Sequence, residues 1–273
     1  MRNRQRGFVM ASAIIATFGI VALIYFSFAM SVYAKASEER DERKREWIAE
    51  TQQKLDAWYE RNKSNIDSDP DPIDASVIVS QSGIDLQYGA QVESTARLAA
   101  AGIGYHNIAI WIPNDGASGT GLNHTTGEFK PGLLADGITL APTKFAFTNG
   151  RAIQTRAYLN TVQKMRVNAS RFEGYYQAKQ SSDPDADASI DYFRAANCAE
   201  PINGELPCID VHTDIAPSNV QTLLGLSGDD IVNAWGGKVK ISNLEGLPAG
   251  GYSISLKTST PWGQEIQIIA VRP

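Results

Sequence analysis

Residues 8–34 form a run of 27 positions without a charge, and no proline interrupts the chain before Pro70. A helix rises about 1.5 Å per residue, and about 20 apolar residues cross the hydrocarbon layer of a membrane. The run therefore predicts a membrane-spanning helix at the start of the chain, with everything after Lys35 displayed on one side. Arg2, Arg4 and Arg6 precede it, while residues 38–46 mix five acids with four bases. The excess of positive charge on the leading flank predicts that this flank stays cytoplasmic and that the remainder is exported. A cleavable secretory signal has an apolar region of only about 7–15 residues. A permanent anchor fits this run better, although Ser27-Phe28-Ala29 supplies a small-x-small trio.

The helical signal continues past the membrane. Trp47, Ile48, Leu55, Trp58 and Tyr59 recur at helical spacing and mark one apolar face. Glu39–Arg43 and Asp41–Arg45 can pair one turn apart, acid before base. The end is predicted at residues 62–65, before a linker at 67–74 rich in aspartate and proline. One helix over residues 8–65 would be roughly 85 Å long. Two helices, an anchor and a separate stalk, are the alternative, because residues 38–46 carry no apolar stripe of their own.

Residues 67–273 read as one exported globular α+β unit. Its charge argues against nucleic acid: 25 bases stand against 30 acids, and setting aside the three leading arginines leaves 22 against 30. Phosphate binding needs a basic stripe. Residues 77–79 (VIV) look like a strand and residues 92–101 like a short helix. Residues 107–112 (NIAIWI) predict a strand, and Asn149-Gly150 a turn. Residues 151–180 are the clearest helix of this part, with Ile153, Tyr158, Leu159, Val162, Met165, Phe172, Tyr175 and Tyr176 on a broad apolar face. A short helix is predicted at 220–226. Residues 238–241, 252–256 and 265–271 predict a three-stranded antiparallel meander.

Cys198 and Cys208 are the only cysteines. Outside the cytoplasm such a pair predicts a disulfide, and Pro201, Asn203-Gly204 and Pro207 let the loop turn back. Asp183, Asp185 and Asp187 alternate with other residues like the start of a calcium loop, but lack its central glycine and closing glutamate. The competing reading is a solvated turn that caps a helix with Ser189. His106, His124 and His212 are isolated in sequence. No HExxH, P-loop lysine or GxSxG is present, so no enzymatic activity and no cofactor are expected.

Arg6-Gly7-Phe8, followed by an apolar helix that turns amphipathic, resembles a type IV prepilin or pseudopilin. The C-terminal antiparallel sheet, the late cysteine pair and the Asn233-Ala-Trp235-Gly236-Gly237 segment add to the likeness, which covers about residues 8–65 and 217–271. The resemblance implies a pilin-like α+β fold, its long helix packed on a domain with a C-terminal sheet. It implies a leader of residues 1–7 cut by prepilin peptidase between Gly7 and Phe8, with Phe8 then methylated. It further implies a bacterial inner-membrane precursor whose residues 8–34 later join other pilin subunits in a filament core. That family usually has glutamate fifth in the mature chain, and Ser12 stands there instead. With a large middle region, Ser12 implies a minor, tip-located and adhesive subunit. An uncleaved single-pass protein with a periplasmic binding domain is the alternative.

Overall fold

The computed structural model describes residues 2–114, 116–187, 189–195, 198, 204–215, 219–245 and 252–272, with side chains except at 2–17, 19 and 219. Its first element, α1 (Arg2–Ile66), is a single unbroken helix of 65 residues. Proline is absent and Gly19 is the only glycine between Phe8 and Ile66, so nothing forces a break where the apolar half meets the charged collar. The collar is largely exposed and touches the head at Lys44, whose Nζ lies over the Tyr88 ring, and at Asp41, whose carboxylate lies 3.1 Å from Lys144 Nζ. Lys144 holds the Asp41 carboxyl below its usual range, first by hydrogen bonding and then by its charge.

From Trp47 onward α1 is built into the head. A three-stranded antiparallel sheet, order β1-β4-β7, covers it; its strands are β1 (Gln91–Ser94), β4 (Asn107–Ile112) and β7 (Lys144–Asn149). Trp47, Leu55, Trp58, Tyr59 and Ile66 share one core with Ile108, Ile110, Ile112 and Ala146. The alternate β4 residues, Ala109 and Trp111, face the other way and pack with Leu122 and Phe129. Those come from a small hairpin of β5 (Gly121–Leu122) and β6 (Phe129–Lys130). Because β4 is covered on both faces, it reads as a continuous apolar run. Gln52 treats the edge of β7 as a strand would: its Nε2 donates to Phe147 O (3.1 Å) and its Oε1 accepts from Phe147 N (2.6 Å).

Between α1 and β4 the chain departs from the sequence expectation. Residues 77–79 lie in a helix, α2 (Ala75–Ser82), and Val92 lies in β1, the reverse of the local propensities. Asp74 caps α2 by accepting from Ser76 N at 2.6 Å, and Gly83, in the left-handed region, ends it. Val92 pairs with Ile110 in the sheet. Tertiary contacts outweigh the weak preference of three β-branched residues. Residues 98–105, expected in part as helix, form the hairpin of β2 (Leu98–Ala100) and β3 (Ile103–Tyr105).

A second helix-on-sheet lobe follows. Asn149 caps α3 (Gly150–Ser182), accepting from Ala152 N, so the predicted Asn-Gly turn is the entry to a helix. The C-terminal sheet has order β11-β10-β9-β8. Its strands are β8 (Thr213–Asp214), β9 (Lys240–Ser242), β10 (Ser253–Ser259) and β11 (Glu265–Val271), all antiparallel. The meander thus gains a fourth strand, β8, that short local signals did not reveal. Met165, Ala169, Phe172 and Tyr176 of α3 pack on Ile241, Ile254, Leu256, Ile266 and Ala270. The short α4 (Asn219–Leu223) adds Val220 to this core. The C-terminal sheet is therefore covered by α3, whereas the amphipathic half of α1 lies on the first sheet.

Side chains of α3 also clamp the segment leading into β9. Lys164 Nζ donates to Asp229 O (2.9 Å) and Val232 O (3.1 Å), and Asn168 Nδ2 donates to Asp230 O (2.7 Å). Arg171 pairs with the Asp230 carboxylate at 2.9 Å. The Ser227 backbone N–H, and then Arg171, hold that carboxyl down to about 2.

Cys198 and Cys208 are joined in a disulfide. It closes a loop whose Leu206 is fully buried in the α3 core and accepts at its backbone O from the N–H of Ala195, just before the loop, at 2.7 Å. Replacing both cysteines by alanine is expected to lower stability by about 2–3 kcal/mol, read as a shift of the denaturant midpoint. An unshifted midpoint would mean that burial of Leu206 alone holds the loop.

Candidate functional site

Gly7, Phe8 and Ser12 lie in the first turns of α1, and their side chains fall outside the described ones. What is described beyond them is a rod without cover. Every residue described from Phe18 to Arg40 is exposed, including Phe18 (73%), Tyr25 (75%) and Phe28 (66%). Within α1, the stretch from Ile20 onward is long and apolar enough to cross a membrane. In water each such side chain would forgo about 1.5–3 kcal/mol of burial. Such a surface is suited to an apolar surrounding.

The three aspartates sit where α3 stops. Asp183 is the C-cap of α3; its Oδ1 accepts from Asp185 N (3.1 Å) and its Oδ2 from the Tyr192 hydroxyl (2.5 Å). Asp187 accepts from Ser189 N at 2.8 Å. Two of the three carboxylates are thus used to shape the turn. Among the described residues no three His, Cys, Asp or Glu side chains converge as a metal site.

Sequence reading missed a buried polar group in the interior. Tyr59, Asp67, His106 and Gln154 are each fully buried. Asp67, placed by sequence in a linker, is the centre of this group. Its carboxylate accepts from the Tyr59 hydroxyl (2.7 and 2.9 Å), lies 2.7 Å from His106 Nδ1, and accepts from Gln154 Nε2. His106 Nε2 faces Asp71 O at 3.1 Å. Both ring nitrogens therefore face oxygen atoms. The Tyr59 hydroxyl also accepts from His106 N at 3.1 Å. Burial, with the Asp67 charge beside it, pushes the Tyr59 phenol up, so it remains a donor.

The other end of Gln154 reaches the second lobe. Its Oε1 accepts from Trp235 Nε1 at 2.6 Å. Trp235 meets Trp262 edge-on at 5.4 Å, and Trp262 Nε1 donates to Gly102 O at 2.9 Å. The Trp235-Gly236-Gly237 turn is organised by Asn233. Its Oδ1 accepts from Trp235 N and Gly237 N, and its Nδ2 donates to Thr258 Oγ1 and Ser259 O. Tyrosine, aspartate and histidine are residue types used in acid–base chemistry, but here no solvent reaches them. They join the end of α1, the start of β4, the start of α3 and the Trp-Gly-Gly turn.

A second polar group lies beside the C-terminal sheet. Ser255 Oγ is 3.0 Å from His212 Nε2, and His212 Nδ1 is 3.1 Å from Glu245 Oε2, though poorly aligned for a hydrogen bond. The order is that of a nucleophile, base and carboxylate. Ser255, however, is fully buried, and its hydroxyl already accepts from Gln267 Nε2 at 2.8 Å, so it is not presented to a substrate. Comparison with protein-family models, curated proteins and solved structures returned no match to this chain.

Proposed function

We propose that this chain is a minor subunit of a type IV pilin-like filament or secretion pseudopilus. In this reading it is stored in the bacterial inner membrane, cut by prepilin peptidase after Gly7, and placed at or near the filament tip with an adhesive head. The observation that carries this reading is the uncovered apolar half of α1, continuous with a helix locked into a folded head. A rod of that kind can exchange lipid for neighbouring helices without refolding, because its backbone hydrogen bonds are internal in either setting. The two-lobed head supports a minor role. A bulk subunit must pack its head against copies of itself at every step, and a second lobe makes that packing harder. Ser12 points the same way, since it leaves no carboxylate to pair with the amine of an adjoining subunit.

The test is the N-terminus of the membrane-extracted protein by mass spectrometry. The expected chain begins at Phe8 with a methylated amine, and Gly7→Val blocks the cut. A chain that keeps Arg2, Arg4 and Arg6 in cells with active prepilin peptidase would overturn the proposal and leave an uncleaved single-pass protein.

A further inference from the structure

We propose that the outer face of the C-terminal sheet binds a carboxylated sugar, an acidic residue of a glycan, in a groove that crosses all four strands. α3 covers the inner face of this sheet. The groove on the other side has a volume of about 500 Å³ and is lined by His212, Asp214, Lys238, Lys240, Lys257 and Glu265, among others. That volume lies in the range of small-molecule sites, ~300–1,000 Å³.

The sheet register places the charges. Asp214 stands opposite Lys240, and Lys240 stands directly opposite Lys257. Like charges facing each other across strands are unfavourable, and folding gains nothing from this pair. Lys257 is offset by Glu265 at 2.8 Å. Lys238, Lys240 and Asp214 hold no ion pair among the described residues. Three lysines thus line one groove in a chain whose acids outnumber its bases by five. A bound carboxylate would relieve the Lys240–Lys257 repulsion through charge-assisted hydrogen bonds.

The groove also says what kind of anion fits. Asp214, Glu265 and the Ser259 hydroxyl offer acceptors beside the lysines, which suits a ligand that carries hydroxyl groups as well as a carboxylate. An inorganic phosphate would have no use for the two acids. Among the described residues no Phe, Tyr or Trp lines the groove, so a neutral sugar lacks the broad stacking platform such a ring would give. His212 makes a fixed wall, held by Ser255 on one side and, through its backbone N–H, by Glu245 on the other (2.9 Å).

The test is calorimetric titration of the full-length protein in detergent with trigalacturonate, its methyl ester and inorganic phosphate. Trigalacturonate is expected to bind with a dissociation constant of roughly millimolar order or tighter, the methyl ester at least about tenfold more weakly. The Lys238→Ala/Lys240→Ala double variant should lose about tenfold or more for trigalacturonate. Asp214→Asn should weaken trigalacturonate and leave phosphate unchanged or tighter. All three positions are at the surface, and an unchanged melting temperature establishes that the variants are folded. Equal binding of acid and ester, an unaffected double variant, or phosphate binding as tightly as trigalacturonate would each overturn the proposal.

Discussion

Gly150→Ala is expected to destabilise the head by at least about 3 kcal/mol, or roughly 6–12 °C in melting temperature for a domain of this size. A Cβ built at Gly150 would stand 2.0 Å from His106 O and 2.2 Å from Tyr59 Oη. Neither atom can retreat. The Tyr59 hydroxyl is fixed between Asp67 and His106 N, and His106 opens the β4 strand whose Asn107 Oδ1 accepts from Gly150 N at 3.1 Å. An added methyl must therefore push α3 away from α1 or break the buried group apart. Gly174→Ala is the control of opposite sign. It lies in the same helix with nothing within 4 Å of its added methyl, so helix propensity should stabilise the protein by up to about 1 kcal/mol. Denaturant unfolding of the two variants side by side makes the comparison. A Gly150→Ala protein within about 1 kcal/mol of the parent would mean that the close approach carries little of the stability.

The contrast between these two glycines shows what kind of information the sequence holds. Helix α3 is legible, because Met165, Phe172 and Tyr176 repeat at its period and are buried. Its face is not fully legible. Leu159, expected inside, is 60% exposed, while Gln154, Thr161 and Asn168 are buried. An apolar period cannot report a buried amide whose partners lie on other elements. The same limit hid His106: it is isolated in sequence and touches Asp67 and Tyr59, 39 and 47 residues away. Which sheet covers which helix was equally invisible. Trp47, Leu55 and Trp58 announce a face that must be buried, but not that β4 and β7 bury it while the C-terminal strands go to α3. Local chemistry was legible where it is local: the long first helix, the cysteine pair, the residue 107–112 strand. At Asp67 the string of aspartates and prolines around it suggested solvent, and one of its members turned inward.

Gln154→Met is expected to cost about 3–5 kcal/mol and to separate the unfolding of the two lobes. Methionine matches glutamine closely in shape, so the packing volume is kept. What is lost is the amide that faces both ways. Its Nε2 serves Asp67 and Lys63 O, and its Oε1 serves Trp235 Nε1. Without it a buried carboxylate loses one donor and a Trp N–H loses its acceptor, each worth about 1–3 kcal/mol when left unpaired, and more for the charged group. Each lobe retains its own apolar core, one on α1 and one on α3. The variant should therefore unfold in two calorimetric transitions where the parent shows one. Trp235→Phe completes a double-mutant cycle. Alone it should destabilise, since it leaves Gln154 Oε1 without its donor; in the Gln154→Met background it should do markedly less harm, because no bond remains to lose. Strict additivity of the two changes, or a single sharp transition in Gln154→Met, would place the coupling between lobes in the Trp235–Trp262 contact instead of the buried amide.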